Sequence, residues 1–293
     1  MKEIAVGLLS YARTDLLIET LKCIRSEDFK IKIYLINNNH DQCILDDIIH
    51  YIDKRAELKY HWFGENLGVA RGRRKLLELC SESHMILLDD DIHIEGFNNI
   101  CQSVSDTFSD KRVGGIAFHI QEYGKNTANR YEIPHKNKSF DLNKDQDTYI
   151  MIGAGHAIDV EFARRVGNYP EDFGLYGFEE VDLSFRIINE GRTIRYLHNC
   201  VVKHKKSPDG RFGNKLVNYL AFVNRTKMAK RYLKLHHFIA CYFIRSTFFI
   251  MKTRDFHLFW KGSKEIFKDR VVNKKFGKAF YSYIDKCNGF LWY

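Results

Sequence analysis

The chain has 293 residues, enough for one large domain with a substantial core or for a domain with an appendage. Only 3 prolines and the lack of a Ser/Gly tract argue against a disordered linker. Charge is uneven: residues 203–293 hold 21 Lys and Arg against 5 Asp and Glu, a net of +16. Because the whole chain carries +9, residues 1–202 carry −7. An acidic body and a basic tail predict different partners.

The seven cysteines are scattered and form no C-x-x-C pair, which disfavours a disulfide framework or a zinc site and fits a reducing cytosol. The first apolar run, residues 4–9, is not followed by a signal-peptide cleavage site. The most apolar late stretch, residues 238–251, contains Arg245 and is shorter than the roughly 20 residues that a spanning helix needs. These features predict a cytoplasmic protein, with peripheral contact at most to the inner face of the plasma membrane.

The first half alternates short apolar runs with helix-like segments. Strands are predicted at residues 4–9, 31–36, 58–63 and 85–88, and helices after Thr14, at 43–52 and at 69–80. This alternation predicts a mostly parallel sheet covered on both faces. Ligands bind beyond the carboxyl ends of such strands, where Ser10, Asn37 and Asp89 fall.

The second half is less regular. Residues 121–146 are polar and predict a long loop or lid, residues 149–152 a strand, and residues 180–189 a short helix. From Leu216 onward the pattern is helical, basic and rich in aromatic residues.

Three adjacent carboxylates, Asp89, Asp90 and Asp91, follow the fourth predicted strand. Their mutual repulsion is costly unless a cation or hydrogen-bond donors compensate it, and Mg²⁺ and Mn²⁺ prefer such oxygen ligands. The alternative is a solvated loop whose acids cap the next helix. An EF-hand is excluded because Ile94 stands where the loop needs glycine.

A second acidic cluster, Glu179, Glu180 and Asp182, opens a predicted helix. Helix-dipole stabilisation, about 0.3–1 kcal/mol per acid, accounts for one or two of these acids. The glycine-rich, aromatic approach at residues 173–178 indicates that a ligand comes close. A carboxylate here can act as a general base toward a hydroxyl.

With both clusters in place, residues 4–206 resemble the inverting GT-A glycosyltransferases of family 2, which include bacterial polysaccharide and rhamnosyl-type transferases. The matching segments follow the family's order: residues 7–13, 66–73, 88–92 (the D-x-D motif), 167–183 (the E-D-x-D box) and 201–204. The sequence departs from the family at Asn37, where Asp is usual, at Glu180, where the box has Asp, and at Arg74, where Asn is common.

The resemblance implies an α/β fold of the GT-A type, a Rossmann-like, mostly parallel sheet flanked by helices. It places a catalytic domain at 1–206, with a nucleotide-binding half at about 1–95 and an acceptor half at about 96–206. Residues 207–293 would form a helical extension.

The resemblance also implies the activity, a hexosyltransferase reaction. The sugar would pass from a nucleotide-diphosphate sugar, with UDP favoured and dTDP as the alternative, to a hydroxyl of a glycan or lipid-linked oligosaccharide in surface polysaccharide synthesis. A non-catalytic sugar-nucleotide or glycan-binding module is one rival interpretation. A nucleotidyltransferase is another, although residues 7–11 are not the glycine-rich phosphate loop it would need.

The resemblance assigns roles to individual residues. Asp91 and His204, with Asp89, would ligate Mn²⁺ or Mg²⁺, and Glu180 would be the catalytic base. Glu179, Asp182 and His156 would orient the acceptor. The residues assigned to the nucleotide sugar are Ser10, Tyr11, Arg13, Asn37, Asn66, Gly68, Arg71, Arg73, Asp89 and Asp90.

The basic aromatic tail, residues 216–293, ends in Phe290-Leu291-Trp292-Tyr293. Basic helices with aromatic residues suit an anionic membrane surface. Packing onto the catalytic domain and formation of a homodimer are the alternatives. Nucleic-acid binding has no support beyond charge, and we do not expect it.

Overall fold

The computed structural model describes residues 2–125, 127–137, 139–207, 213–270 and 275–291. Trp292 and Tyr293, the last aromatic residues of the predicted tail, lie outside this range. Within it, nine strands form a single sheet.

The first half of the sheet is parallel. It contains β1 (Lys2–Ser10), β2 (Phe29–Asn37), β3 (Glu57–Trp62) and β4 (His84–Asp89), in the spatial order β3-β2-β1-β4. The connecting helices are α1 (Thr14–Cys23), α2 (Leu45–Ile48, extended by a 3-10 turn at Ile49–Tyr51) and α3 (Gly68–Leu79). The predicted strand and helix positions in this half are confirmed, to within a few residues at their ends.

The second half is mixed. Its strands are β5 (Ile92–His93), β6 (Val113–Glu122), β7 (Gln146–Thr148), β8 (Gly155–Asp159) and β9 (Thr193–His204). Strand β8 runs antiparallel between β4 and β6, β9 lies parallel to β6, and β5 and β7 pair antiparallel with β9. In the β5–β9 pair Ile92 faces His204, so the end of β9 lies beside the acidic triplet.

Helices cover both faces of the sheet. Along β1, Ala5 belongs to one core cluster, whereas Ile4, Val6 and Leu8 belong to the other, as expected for a strand buried on both sides. The second half contributes α4 (Phe97–Thr107), α5 (Val160–Arg165) and α6 (Glu179–Asn189). The α/β class and the flanking helices are therefore confirmed.

Residues 149–152 do not form the predicted strand. They are the buried connection between β7 and β8, with one isolated bridge from Ile152 to Gly155. An apolar run signals burial, and burial alone does not distinguish a strand from a connection packed into the core. The polar segment predicted at 121–146 begins inside β6 and includes a 3-10 turn at Arg130–Glu132.

The C-terminal extension packs against the α/β region. It consists of α7 (Asn214–Tyr232), α8 (Leu235–Thr253), α9 (Phe256–Lys268) and α10 (Lys278–Lys286). Phe280 of α10 lies 5.3 Å from Phe185 between ring centroids, and the Tyr283 hydroxyl donates to the Thr148 carbonyl at 2.8 Å. None of the helices in the described ranges combines the length and apolarity that a membrane span needs. All seven cysteines are free thiols.

Candidate active site

Three predicted metal ligands converge at the end of the parallel strands. Asp89 is the last residue of β4, Asp91 follows two residues later, and His204 ends β9 beside them. One ligand atom from each lies within 4.8 Å of the others. The Ile92–His204 pairing brings the histidine to the acids, although more than a hundred residues separate them in sequence.

His204 bridges two carboxylates. Its Nε2 lies 3.1 Å from Asp91 Oδ1, and its Nδ1 lies 2.5 Å from Glu132 Oε1. Burial alone would lower the pKa of His204, but hydrogen bonding to these carboxylates outweighs burial and raises it to about 10. Asp91 Oδ1 itself accepts no well-directed hydrogen bond. A buried carboxylate oxygen that lacks a hydrogen-bond donor suits a hard divalent cation as its partner. Such a cation would replace the proton on His204 Nε2.

Asp90 points into the protein rather than toward a ligand. Its carboxylate forms an ion pair with Arg13 and accepts a hydrogen bond from the Tyr11 backbone N–H at 3.3 Å. Burial raises the pKa of Asp90 to about 7, although Arg13 opposes the shift. Arg13 also donates to Asp91 Oδ2 at 2.8 Å. Of the residues assigned to the nucleotide, Arg13 and Tyr11 thus lie at the triplet, and Asp90 holds both.

Arg73 joins the two acidic clusters. Its Nη1 donates to Glu179 at 2.9 Å and to Glu180 at 2.8 Å, and its Nη2 donates to Asp89 at 3.1 Å. Nη2 also donates to the Gly153 carbonyl at 2.9 Å, and a Cβ at Gly153 would collide with Arg73 and Glu180. Arg73, assigned to the nucleotide sugar, is therefore a buried cation that pairs with three carboxyl groups.

The two glutamates of the box differ in access to solvent. The Glu179 side chain is buried, whereas that of Glu180 is 16% exposed. Burial, reinforced by the neighbouring Glu180 charge, raises the pKa of Glu179 to about 8, although Arg73 opposes this shift. Glu180 is thus the more accessible of the two carboxyl groups.

Two residues assigned to the acceptor lie inside the protein. Asp182 is fully buried and paired with Arg186, whose Nε donates to it at 2.8 Å. His156 is also fully buried, with Nδ1 2.9 Å from the Ile152 carbonyl and Nε2 2.6 Å from the Tyr169 hydroxyl. Burial lowers the pKa of His156 to about 3, which keeps the ring neutral. Both side chains are thus hydrogen-bonded within the protein interior.

The assigned polar residues at the ends of β1 and β2 are also engaged. Ser10 is buried, and its carbonyl accepts from the Asn38 N–H at 2.8 Å. The Asn37 amide donates to the Gln42 carbonyl at 2.7 Å and to the Tyr60 hydroxyl at 3.0 Å. Asn37 therefore shapes the loop after β2, and its two donors are used internally.

The Asn66–Gly68 turn packs against the loop at residues 173–178. Asn66 Oδ1 accepts from the Gly68 N–H at 2.8 Å, and Gly68 has a φ of +72°. A Cβ at Gly68 would lie 2.7 Å from Leu175 Cα, so only glycine allows this approach. Arg71, by contrast, is exposed and lies 3.6 Å from Glu65.

The 173–178 loop, which leads into α6, is held by α7. Asn224 of α7 is buried and donates to the carbonyls of Phe173 at 2.8 Å, Tyr176 at 3.2 Å and Gly177 at 2.9 Å. Phe178 takes a left-handed φ of +74°, with the Arg225 guanidinium 4.0 Å from its ring centroid.

Sequence reasoning did not find Glu132 or Asn224. Glu132 lies in a polar segment that resembles an ordinary loop, and Asn224 is one polar residue in a long helix. Each acquires its role through contacts between residues that are distant in sequence, and no local motif marks either one.

Comparisons with known proteins bear on this geometry. No protein-family model matches the chain. An uncharacterised protein of Haemophilus influenzae is 34% identical over 171 residues, which cover 57% of this chain and 92% of that protein.

Solved structures are similar at much lower identity. Mannosyltransferase PcManGT of Pyrobaculum calidifontis, solved with GDP-Man and Mn²⁺, matches with a TM-score of 0.59 and 15% identity over 78% of this chain. The chain spans 63% of the length of that mannosyltransferase. Residues 1–349 of S. aureus TarS, solved with UDP-GlcNAc, match with a TM-score of 0.62 and 11% identity, covering 91% of this chain and 80% of that fragment. The chain therefore has the GT-A fold of these glycosyltransferases, and it belongs to the same family as the Haemophilus influenzae protein.

Proposed function

We propose that this protein is a metal-dependent, inverting hexosyltransferase of family 2. It would move a sugar from a nucleotide-diphosphate sugar to a hydroxyl of a glycan or lipid-linked oligosaccharide in surface polysaccharide synthesis. One observation carries the proposal: Arg73 contacts both Asp89, in the candidate metal site, and Glu180, in the acid box. A site for the leaving group and a candidate base thus lie within reach of one side chain.

The donor side of the reaction belongs to Asp89, Asp91 and His204. These residues would hold Mn²⁺ or Mg²⁺, which when bound neutralises the negative charge that develops on the departing diphosphate. Arg13, already 2.8 Å from Asp91, supplies a second positive charge at the same place.

The acceptor side belongs to Glu180. Its carboxylate takes the proton from the acceptor hydroxyl as the oxygen attacks the anomeric carbon, while the bond to the diphosphate breaks on the opposite face. Because the hydroxyl attacks the face opposite the departing diphosphate, the anomeric configuration is inverted. Arg73 orients the Glu180 carboxylate, and buried Glu179 keeps the guanidinium in place.

The nucleotide of the donor sugar can be identified by binding and turnover. UDP is favoured and dTDP is the alternative, while the similar structures were solved with UDP-GlcNAc and GDP-Man. A first experiment therefore presents UDP-, dTDP- and GDP-sugars to the protein with Mn²⁺ and reads binding by thermal shift and turnover by donor hydrolysis.

Glu180→Gln tests the base assignment. It should retain Mn²⁺-dependent nucleotide binding and lose transfer by about 10²–10⁴-fold, the usual contribution of a general base. Glu190→Gln, an exposed change at the end of the same helix, is the matched control and should transfer normally. Full turnover by Glu180→Gln would exclude Glu180 as the base.

Asp91→Asn tests the metal assignment. Losing one anionic ligand should weaken Mn²⁺-dependent nucleotide binding by at least about tenfold. Even residues that only hydrogen-bond to a metal ligand change metal affinity by about tenfold or more when they are replaced. Asp110→Asn, at a surface pair with Arg112, serves as control. An unchanged manganese titration with Asp91→Asn contradicts its role as a ligand.

A further inference from the structure

Helices α8 and α9 expose large apolar side chains on their outward sides. Phe243 and Met251 of α8 are 65% and 74% exposed, and Phe256 and Trp260 of α9 are 61% and 62% exposed. Folded proteins seldom leave contiguous apolar patches of this kind in water unless a partner covers them. We call this surface the α8–α9 face; its apolar members are Leu235, Ile239, Phe243, Ile244, Phe248, Met251, Phe256, Trp260 and Phe267.

The apolar surface is continuous across the two helices. The Phe267 ring of α9 lies 5.2 Å from that of Tyr242 of α8, and Tyr242 lies 5.9 Å from Phe243. The Tyr242 hydroxyl also lies 3.0 Å from the Ser263 hydroxyl. These contacts hold the two helices side by side, so the face is one surface.

Basic residues border the apolar ridge of α9. Phe256, Trp260 and Phe267 recur at intervals of four and seven residues and share one stripe of the helix. Lys261, Lys264 and Lys268 recur at intervals of three and four and form an adjacent stripe, and all three are exposed. A stripe of large apolar side chains beside a stripe of lysines is typical of a helix that lies in a membrane interface.

Helices α8 and α9 contain one acidic residue between them. Helix α8 contains no Asp or Glu in its sequence and carries Arg245 and Lys252. The single acid of α9, Glu265, lies 2.6 Å from Lys227 Nζ and 2.9 Å from the Tyr219 hydroxyl of α7. Its charge is thus compensated from within the extension, and the face as a whole is cationic.

We infer that the α8–α9 face docks on the surface of an anionic lipid bilayer. The apolar ridge would lie at the boundary of the acyl chains, and the lysines would contact the anionic head groups. The charge complements such a surface, since residues 203–293 carry a net +16. A second copy of this chain would bring two cationic faces together, which their repulsion disfavours.

Docking would also orient the candidate active site. Helix α7, on which α8 and α9 pack, holds the 173–178 loop through Asn224, and Arg225 lies against Phe178. The membrane-facing helices and the acceptor side therefore belong to one packed unit. The inference that an acceptor on the bilayer meets this loop rests on the proposed function. Lipid binding by the α8–α9 face does not depend on that function.

The lysines are tested by co-sedimentation of the full chain with vesicles. Phosphatidylcholine vesicles containing phosphatidylglycerol should bind it, pure phosphatidylcholine should bind it weakly, and salt should reduce binding. The triple variant Lys261→Gln/Lys264→Gln/Lys268→Gln should lose roughly 100-fold in affinity, about fivefold per lysine near an anionic surface. The control variant, Lys54→Gln/Lys111→Gln/Lys144→Gln, removes the same exposed charge from the catalytic domain and should bind as wild type does.

The apolar ridge is tested separately. Phe243→Ser/Phe256→Ser/Trp260→Ser should reduce binding to anionic vesicles by at least tenfold, to about the level set by charge alone. Its control replaces exposed apolar residues of the catalytic domain: Ile49→Ser/Tyr51→Ser/Phe63→Ser.

Three outcomes would overturn the inference. They are failure of the wild type to bind anionic vesicles, equal binding by the lysine variant, and a wild-type dimer that the ridge variant converts to monomers without any lipid binding. Thermal shift with nucleotide sugar is measured on every variant. These variants do not change residues of the candidate active site. Failure of the wild type to bind lipid therefore contradicts the docking inference, whereas failure of the wild type to bind nucleotide sugar contradicts the proposed function.

Discussion

The Arg73 guanidinium is buried between Glu179 and Glu180 on one side and Asp89 on the other. A buried cation needs well-placed carboxyl partners, and removing one partner of such a group is strongly destabilising. The most deeply buried of the three acids is Glu179. Its protonation state is therefore coupled to the stability of the whole arrangement.

The stability of the protein should depend on the titration of Glu179. Its pKa rises from 4.5 to about 8 on folding, so between these values the folded state binds more protons than the unfolded state. The free energy of unfolding should therefore fall as pH rises from about 5 to about 8, by an amount on the order of 2–4 kcal/mol. Urea unfolding in EDTA across this pH window measures it.

Glu179→Gln should flatten that dependence, because a neutral amide does not titrate. A slope should persist from Asp90, whose pKa of about 7 acts in the same direction, and above about pH 6.5 from His204, whose pKa of about 10 does so too. The exposed Glu190→Gln is the control and should keep the wild-type slope. Identical slopes for wild type and Glu179→Gln would show that Glu179 does not titrate between about pH 5 and pH 8, which contradicts the prediction.

At the scale of elements, α7 connects the C-terminal extension to the acid box. Asn224→Ala should leave three loop carbonyls without their donor and lower the free energy of unfolding by about 1–3 kcal/mol. The 173–178 loop should exchange its amide hydrogens faster, and transfer should weaken while nucleotide-sugar binding persists. Hydrogen exchange and a comparison of acceptor with donor KM measure these effects.

Asn218→Ala is the control on the same helix. Asn218 is half-buried, and its amide donates to the Asn214 carbonyl at 2.7 Å, one turn earlier. This variant should change stability and loop exchange little. If Asn224→Ala left the loop protected and transfer intact, α7 would be packing beside the acid box without positioning it.

The first half of the fold was predictable because its strands are continuous apolar runs that end in polar residues. Strand β6 was not predicted, since Gly114 and Gly115 interrupt its pattern. Both glycines are required by packing: a Cβ at Gly114 would meet Ile187 at 2.5 Å, and one at Gly115 would meet Met151 at 2.7 Å. Such contacts come from elements far along the chain and leave no local pattern.

The candidate site shows the same limit. The triplet and the acid box were visible as clusters, and the convergence of Asp89, Asp91 and His204 agrees with the predicted ligand set. The sequence could not indicate that Asp90 turns inward to Arg13, because three adjacent acids have the same chemistry and only side-chain direction separates them. Nor could it place Arg73 among three acids from two distant segments.

At the scale of the whole molecule, the sequence predicted a boundary near residue 206. The structure shows an extension that shares the main core: Phe280 lies against Phe185 of α6, and Tyr149 accepts a hydrogen bond from the Phe290 N–H at 3.0 Å. Extension and catalytic region are therefore expected to unfold as one cooperative unit.

The three tryptophans allow this cooperativity to be measured. With Trp292→Phe in both, one variant keeps only Trp62, in β3, and the other keeps only Trp260, in α9. Fluorescence-monitored urea unfolding of the two should give coincident transitions. Because coincidence tests two-state behaviour directly, two separated transitions would show that the extension is an independent domain.

Phe280→Ala then tests where the coupling lies. Removing this fully buried ring should lower the free energy of unfolding by about 3–5 kcal/mol, and the Trp62 and Trp260 reporters should shift together. Phe256→Ala, on the exposed α8–α9 face, is the control and should shift neither by more than about 1 kcal/mol. A shift of the Trp260 transition alone would mean that the ring stabilises the extension only. Equal shifts mean that α10 stabilises the α/β region across the predicted boundary, and that the basic tail and this region form one folding unit.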